Sequence, residues 1–231
     1  ILNRANAEGV GSAATYPFGR GGFEVSKLEE ATAKRYLPAA ELSKLKSTTA
    51  SNPQCEYARK LFLFSYYCYG ISFIDMAMLT AAHIKQMEDG DYIVYKRQKI
   101  KRQKGVKPIS IKITPAIRQL IGSLQAASPT VDDFLLPIVT RSGYTSERLY
   151  MHIRARYSKY QKYLRLLAEE LGIDFHLTSY VSRHTAAMTL QRNNIPREVI
   201  SQMLGHADLE TTNIYLDSFD NGVINEAAKV L

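Results

Sequence analysis

Three short segments near the C-terminal end carry residue types suited to phosphoryl chemistry. Arg183-His184-Thr185 fall on one predicted helix, Leu204-Gly205-His206 close the next, and Thr211-Thr212-Asn213-Ile214-Tyr215 follow. Phosphoryl transfer spreads negative charge over non-bridging oxygens, so a protein that performs it must supply fixed donors. An arginine fork can meet two phosphate oxygens at once. Val181, Thr185 and Met188 form a packing stripe that would hold the Arg183 helix rigid. Gly205 suits a helix C-cap and would anchor the backbone of His206. Asp208 suits an N-cap and Glu210 the positive end of the next helix dipole, with Tyr215 about two turns in. A tyrosine alone says little in a chain that has 15 of them; its companions single out Tyr215.

The order and spacing of these segments resemble the catalytic core of the tyrosine recombinases, the phage integrase family, over roughly residues 37–231. The resemblance implies that Tyr215 attacks a scissile phosphate, forms a 3′-phosphotyrosyl link and releases a 5′-hydroxyl. It implies that Arg183 and His206 bind the phosphate or the nucleophile, and that no metal, ATP or other cofactor is required. The implied partner is double-stranded DNA, held by a homotetramer that exchanges strands through a Holliday junction to integrate, excise or invert a segment. The wording of Gly70-Ile71-Ser72-Phe73-Ile74-Asp75 and Tyr180-Val181-Ser182-Arg183-His184 resembles integrases of mobile elements in Bacteroides-type bacteria.

Two positions depart from the family pattern. Ser72 stands where the family has an arginine, and Tyr180 where it often has a histidine. Tyr180 lies one helical turn before Arg183 and can donate a hydrogen bond from the same face. Ser72 cannot replace a cation, and Arg97 is the candidate to fill that place. The family also carries a hairpin lysine that protonates the leaving 5′-oxygen. Lys99 is expected there, with Lys104 as the alternative because Lys96-Arg97-Gln98-Lys99 is echoed in Lys101-Arg102-Gln103-Lys104. The competing reading is a catalytically inactive DNA-binding protein of the same fold.

The elements that must position these groups follow from patterning. Helices are predicted from about Leu37, from Pro53 to Tyr69 and from Phe73 to Leu79. Asp91–Gln98 and Pro108–Ile113 alternate as strands around a basic hairpin loop. Thr114-Pro115 opens a helix to about Ala126. Ser146–Leu171 reads as a long, interrupted basic helix, and four more helices follow at about 177–192, 196–204, 208–217 and 222–231. The fold class is mainly α with a small antiparallel β-sheet. By the resemblance, residues 1–35 are the tail of an N-terminal core-DNA-binding domain with its linker, and 36–231 the catalytic domain. A chain starting at Ile1 reads as part of a longer protein.

The formal charge of +8 suits a polyanionic partner. Lys96, Lys101, Arg102, Lys104, Arg154 and Arg156 are expected to grip phosphates. Arg141, Arg148, Lys159, Lys162 and Arg165, interleaved with Tyr150, Tyr157, Tyr160 and Tyr163, extend the same basic region. The two cysteines fit reduced cytoplasmic thiols rather than a disulfide framework. No zinc-finger spacing, phosphate-binding Gly-rich loop or apolar run of about 18 residues is present, so neither a structural zinc nor a membrane span is expected.

Overall fold

The computed structural model describes residues 2–10, 36–101, 104–206, 212 and 216. The chain divides into two compact units, Ile1–Ala33 and Lys34–Leu231. In the first, the described residues form α1 (Leu2–Ala7) and its following turn, where exposed Arg4 pairs with Glu8 at 2.6 Å.

The second unit is mainly helical. In chain order it runs α2 (Ala39–Ser47), α3 (Pro53–Tyr67), α4 (Phe73–Ala77), a 3₁₀ turn (Ala81–His83), β1 (Ile84–Met87), β2 (Gly90–Tyr95), β3 (Ile109–Lys112), α5 (Pro115–Ala127), α6 (Ser146–Glu170), α7 (Ser179–Arg192) and α8 (Arg197–Leu204). The α3 helix starts where Asn52 Oδ1 accepts from the Gln54 and Cys55 amides, with Pro53 at N1. Ala58, Leu61, Phe62, Leu63 and Phe64 are all buried, so the helix is enclosed nearly all round, as its composition predicts. Helices α5, α6 and α7 pack against it.

The sheet is antiparallel in the order β1-β2-β3. Ile93 pairs with Ile84 on one side and Ile111 on the other. Patterning predicts two strands, and the structure adds β1, whose Ile-Lys-Gln-Met is mostly exposed and carries no period-2 signal. The predicted interruption of the long basic helix is also corrected. The α6 helix is continuous over 25 residues, contains neither Gly nor Pro, and buries Ile153, Tyr160, Leu164 and Leu167 on one stripe. The helices expected at 208–217 and 222–231 lie outside the described residues, apart from Thr212, which is helical, and Leu216. Cys55 and Cys68 are free and buried, and burial pushes both thiols up. Among the described residues no helix is long and apolar enough to cross a membrane.

Buried Arg59 ties α3 to α2 while pairing with partly buried Glu56 on its own helix. Arg59 donates to both Glu56 oxygens at 2.7 and 2.8 Å and to the Leu45 carbonyl at 2.6 Å. Burial opposes the ionised Glu56, but hydrogen bonds from Arg59 and the Ala50 amide prevail and hold its carboxyl below the usual range. Arg59→Leu would leave that partly exposed carboxylate to the Ala50 amide and Lys60. Urea unfolding is expected to show a loss of about 1 kcal/mol.

Candidate active site

The site is assembled around a buried cation. Arg183 projects from α7 and is 4% exposed. Its Nη1 donates to the Gly70 carbonyl at 3.0 Å, where the chain leaves α3. Its Nη2 donates to the Leu204 carbonyl at 2.6 Å, at the last residue of α8, and to His206 Nε2 at 2.9 Å. Carbonyls at helix C-termini lack intrahelical partners and sit at the negative end of the helix dipole. The end of α8 and the turn that follows α3 therefore both receive the guanidinium.

Backbone geometry makes this approach possible. After α3 the chain turns through Tyr69 and Gly70, both in the left-handed region at φ 57° and 72°. A Cβ on Gly70 would overlap the Arg183 backbone and lie 2.6 Å from its Cγ. Ser65 Oγ locks the turn by bonding the Ile71 carbonyl and Ser182 Oγ, each at 2.8 Å. Gly205 ends α8 in the left-handed region, as its C-cap reading predicts. The next amide, His206 N–H, returns to the Ser201 carbonyl at 3.0 Å and completes a Schellman cap.

Arg183 opens onto a cleft of about 390 Å³ whose lining includes Gly70, Ser72, Arg97, Arg154, Tyr157 and Tyr180. Arg97 Nη1 donates to the Gly205 carbonyl at 3.2 Å, so the two arginines use adjacent carbonyls at one helix end. Ser72 caps α4 instead: its Oγ donates to Asp75 Oδ2 at 2.6 Å and accepts from the Asp75 amide at 3.2 Å. Asp75 is itself buried, and its Oδ1 accepts from the Gln98 amide at 2.7 Å, which pins the backbone next to Arg97. Tyr180 is 55% exposed and packs edge-on against His184, with ring centres 5.1 Å apart. Burial and the adjacent Arg183 push His184 down to about 4, so it is neutral at physiological pH. Tyr95, close to Asp75 and the two arginines, is pushed up, first by burial and then by Asp75, and keeps its phenol proton.

His206 reaches onward as well, with its Nδ1 2.7 Å from Thr212 Oγ1. Thr212 is completely buried, and Leu216 is buried in a small cluster with Ala187, Met188, Ile200 and Leu204. Tyr215 and Arg102 lie outside the described residues. The remaining expected residues spread out. Lys99 is exposed in the turn after β2 and is not part of the cleft lining. Lys96 and Lys101 line a separate open groove with His83 and Gln98, and Lys104 is exposed beyond it. The α6 cations divide between two faces. Arg154 faces the cleft, whereas Arg156 joins Arg141, Arg148, His152 and Lys159 around a second basin of about 570 Å³. Burial and three of these cations, Arg156, Arg141 and Lys159, lower His152.

Patterning missed Gly70, Asp75 and Thr212 as members of this site. The Ser72-x-x-Asp75 spacing is a capping signal and pointed toward Asp75. Nothing local marks Gly70 as the floor under Arg183, or Thr212 as the partner of His206.

Residues 35–221 match the phage integrase family. A tyrosine recombinase XerD of Brucella abortus is 31% identical over 111 residues, 47% of this chain and 32% of that protein. Transposase B from transposon Tn554 of Staphylococcus aureus is 24% identical over 196 residues, 84% of this chain and 30% of that protein. The chain thus spans about a third of the length of these relatives. Among solved structures, the Tn1549 transposon integrase in complex with transposon right-end DNA superposes with a TM-score of 0.64 at 12% identity, covering 90% of this chain and 70% of that one. At that identity the likeness shows the fold.

Gly70→Ala tests the floor beneath Arg183. A side chain there meets both left-handed strain and the Arg183 stem, so thermal and urea unfolding are expected to register a loss of at least about 1–2 kcal/mol.

Proposed function

This chain belongs to the phage integrase family, and we propose that it is the catalytic part of a site-specific recombinase that cuts and rejoins double-stranded DNA through Tyr215. One observation carries the reading. Buried Arg183 faces a cleft and holds His206, which in turn holds Thr212, three residues before Tyr215. Leu216, the next residue after Tyr215, is packed in the core. The chain is therefore anchored on both sides of the proposed nucleophile.

In the proposed reaction Tyr215 Oη attacks the scissile phosphorus. A tyrosyl P–O bond forms as the phenol gives up its proton to solvent, the P–O5′ bond breaks, and the 5′-oxygen leaves with a proton from the hairpin lysine. Rejoining reverses these steps, with a 5′-hydroxyl as attacker, so the phosphodiester energy is conserved. Arg183 and Arg97 stabilise the charge that develops on the non-bridging oxygens. Arg97 stands in for the cation absent at Ser72. Support comes from its place on the lining that contains Ser72 and on the same helix end as Arg183. Tyr180 donates a further hydrogen bond to the phosphate. Lys99, or Lys104 in its place, protonates the leaving oxygen.

Lys96, Lys101, Arg102, Arg154 and Arg156 bind the DNA backbone, a homotetramer performs paired exchanges, and residues 1–35 join this unit to a core-DNA-binding domain. The narrower reading, an integrase of a mobile element of Bacteroides-type bacteria, rests on the wording of residues 70–75 and 180–184.

The test is a nicked suicide duplex containing the mapped recombination site. Wild type is expected to form a covalent adduct that Tyr215→Phe cannot form. Binding without an adduct from either protein would replace this reading with that of an inactive DNA-binding protein. Arg97→Ala is expected to lower the rate of adduct formation by about 10²-fold or more while leaving DNA affinity within a few-fold. Normal cleavage by Arg97→Ala would remove it from the site.

A further inference from the structure

The cleft beside Arg183 is larger and more aromatic than a phosphate requires. Its volume of about 390 Å³ lies in the range of pockets that enclose whole small molecules, and a single phosphate group fills only a small part of it. Arg97, Arg154 and Arg183 line it, and the described lining contains no carboxylate. Those cations suit a phosphate; the rest of the wall has a different chemistry. Tyr150 and Tyr157 lie two turns apart on one face of α6, with Arg154 between them. Tyr157 is fixed from behind: its hydroxyl is 3.1 Å from Ser179 Oγ, and its ring centre is 5.3 Å from that of Phe73, which stacks on buried Tyr160. Tyr150 is 58% exposed, and its side chain makes no hydrogen bond or ring contact among the described residues. A rigid wall thus ends in a free aromatic ring beside the arginines. Arg183, by contrast, is only 4% exposed. A phosphate reaches it only if the strand enters the cleft, and the strand brings its nucleoside along.

We propose that the cleft takes a nucleotide unit rather than a phosphate alone, with the phosphate at Arg183 and Arg97 and a neighbouring base, drawn out of the duplex stack, lying against the ring of Tyr150. The proposal rests on the recombinase reading for the presence of DNA in this cleft. It adds the form in which the DNA is held and a residue that selects for it. Inside a duplex both faces of a base are covered by its neighbours, so a base meets Tyr150 only after unstacking. That cost is least where the pair is mismatched or weak. Every base has a π-face, so the ring does not read base edges. Selectivity at this position then follows how easily the DNA opens.

The test is a binding cycle with the full-length protein, read by fluorescence anisotropy on duplexes that contain the mapped recombination site. Abasic sites are placed at each position of the crossover region in turn. On intact DNA, Tyr150→Ala is expected to weaken binding about 10-fold and Tyr150→Phe to stay within about twofold of wild type. At one abasic position the penalty for Tyr150→Ala is expected to disappear, because ring and base are removed as one interaction. A mismatch at that same position is expected to tighten wild-type binding several-fold and to leave Tyr150→Ala unchanged. An equal Tyr150→Ala penalty on the intact and on every abasic duplex overturns the proposal, since the ring then meets no base. So does a Tyr150→Ala protein that binds intact DNA as wild type does. The side chain is exposed, and circular dichroism checks that the variant is folded. If wild type forms no covalent adduct on the suicide duplex, the recombinase reading fails, while the binding cycle still decides whether Tyr150 meets a base.

Discussion

A buried guanidinium that ties separate segments together is the constraint around which this structure is arranged. Arg183 is 4% exposed and donates to the Gly70 carbonyl in the turn after α3, to the Leu204 carbonyl at the end of α8, and to the imidazole of His206. A carbonyl at a helix C-terminus lies at the negative end of the helix dipole and suits a cation. Hydrogen bonds made in such a water-poor setting are stronger than in water. The arrangement requires the turn after α3 and the end of α8 to converge on one side chain. Much of the local backbone serves that convergence: the left-handed turn at Tyr69 and Gly70, the Ser65–Ser182 bond and the Schellman cap at Gly205.

The same convergence places Ser72 and Arg97 on one cleft. Ser72 is committed to capping α4 and to Asp75. Asp75 reaches across to the amide of Gln98, and Arg97 beside it docks on the Gly205 carbonyl. A cation on this part of the cleft lining, Arg97, thus follows the end of β2. The basic α6 helix borders the cleft on one face and forms a separate cationic basin on another. One continuous helix can therefore present charge in two directions while its third side is packed into the core.

Much of the helical layout was legible in advance because its signals are local. Asn52-Pro53, Thr114-Pro115 and Gly205 punctuate helices through their own backbone and side-chain chemistry. The apolar run of α3 announced a central helix. The failures came where local signals were weak. Four mostly exposed residues form β1 because β2 supplies a ladder, not because their own pattern demands a strand. A helix rich in repelling cations looked broken, yet α6 stays whole because its apolar stripe is buried against α3.

The sequence by itself determined which residue types were present and in what order: an arginine, a histidine and a tyrosine at spacings that resemble one family, a serine in place of an expected cation, and a basic surplus. Those properties belong to the chain and survive unfolding. Only the tertiary structure decided that Gly70 must lack a side chain, that Arg97 shares a helix end with Arg183, that Lys99 stands apart from the cleft lining, and that Thr212 answers His206. Each of these is a distance between groups on separate elements. Such distances are set by how helices and strands pack, and a hydrogen bond or a steric overlap is decided within a few tenths of an ångström, a scale that residue spacing along a chain does not encode.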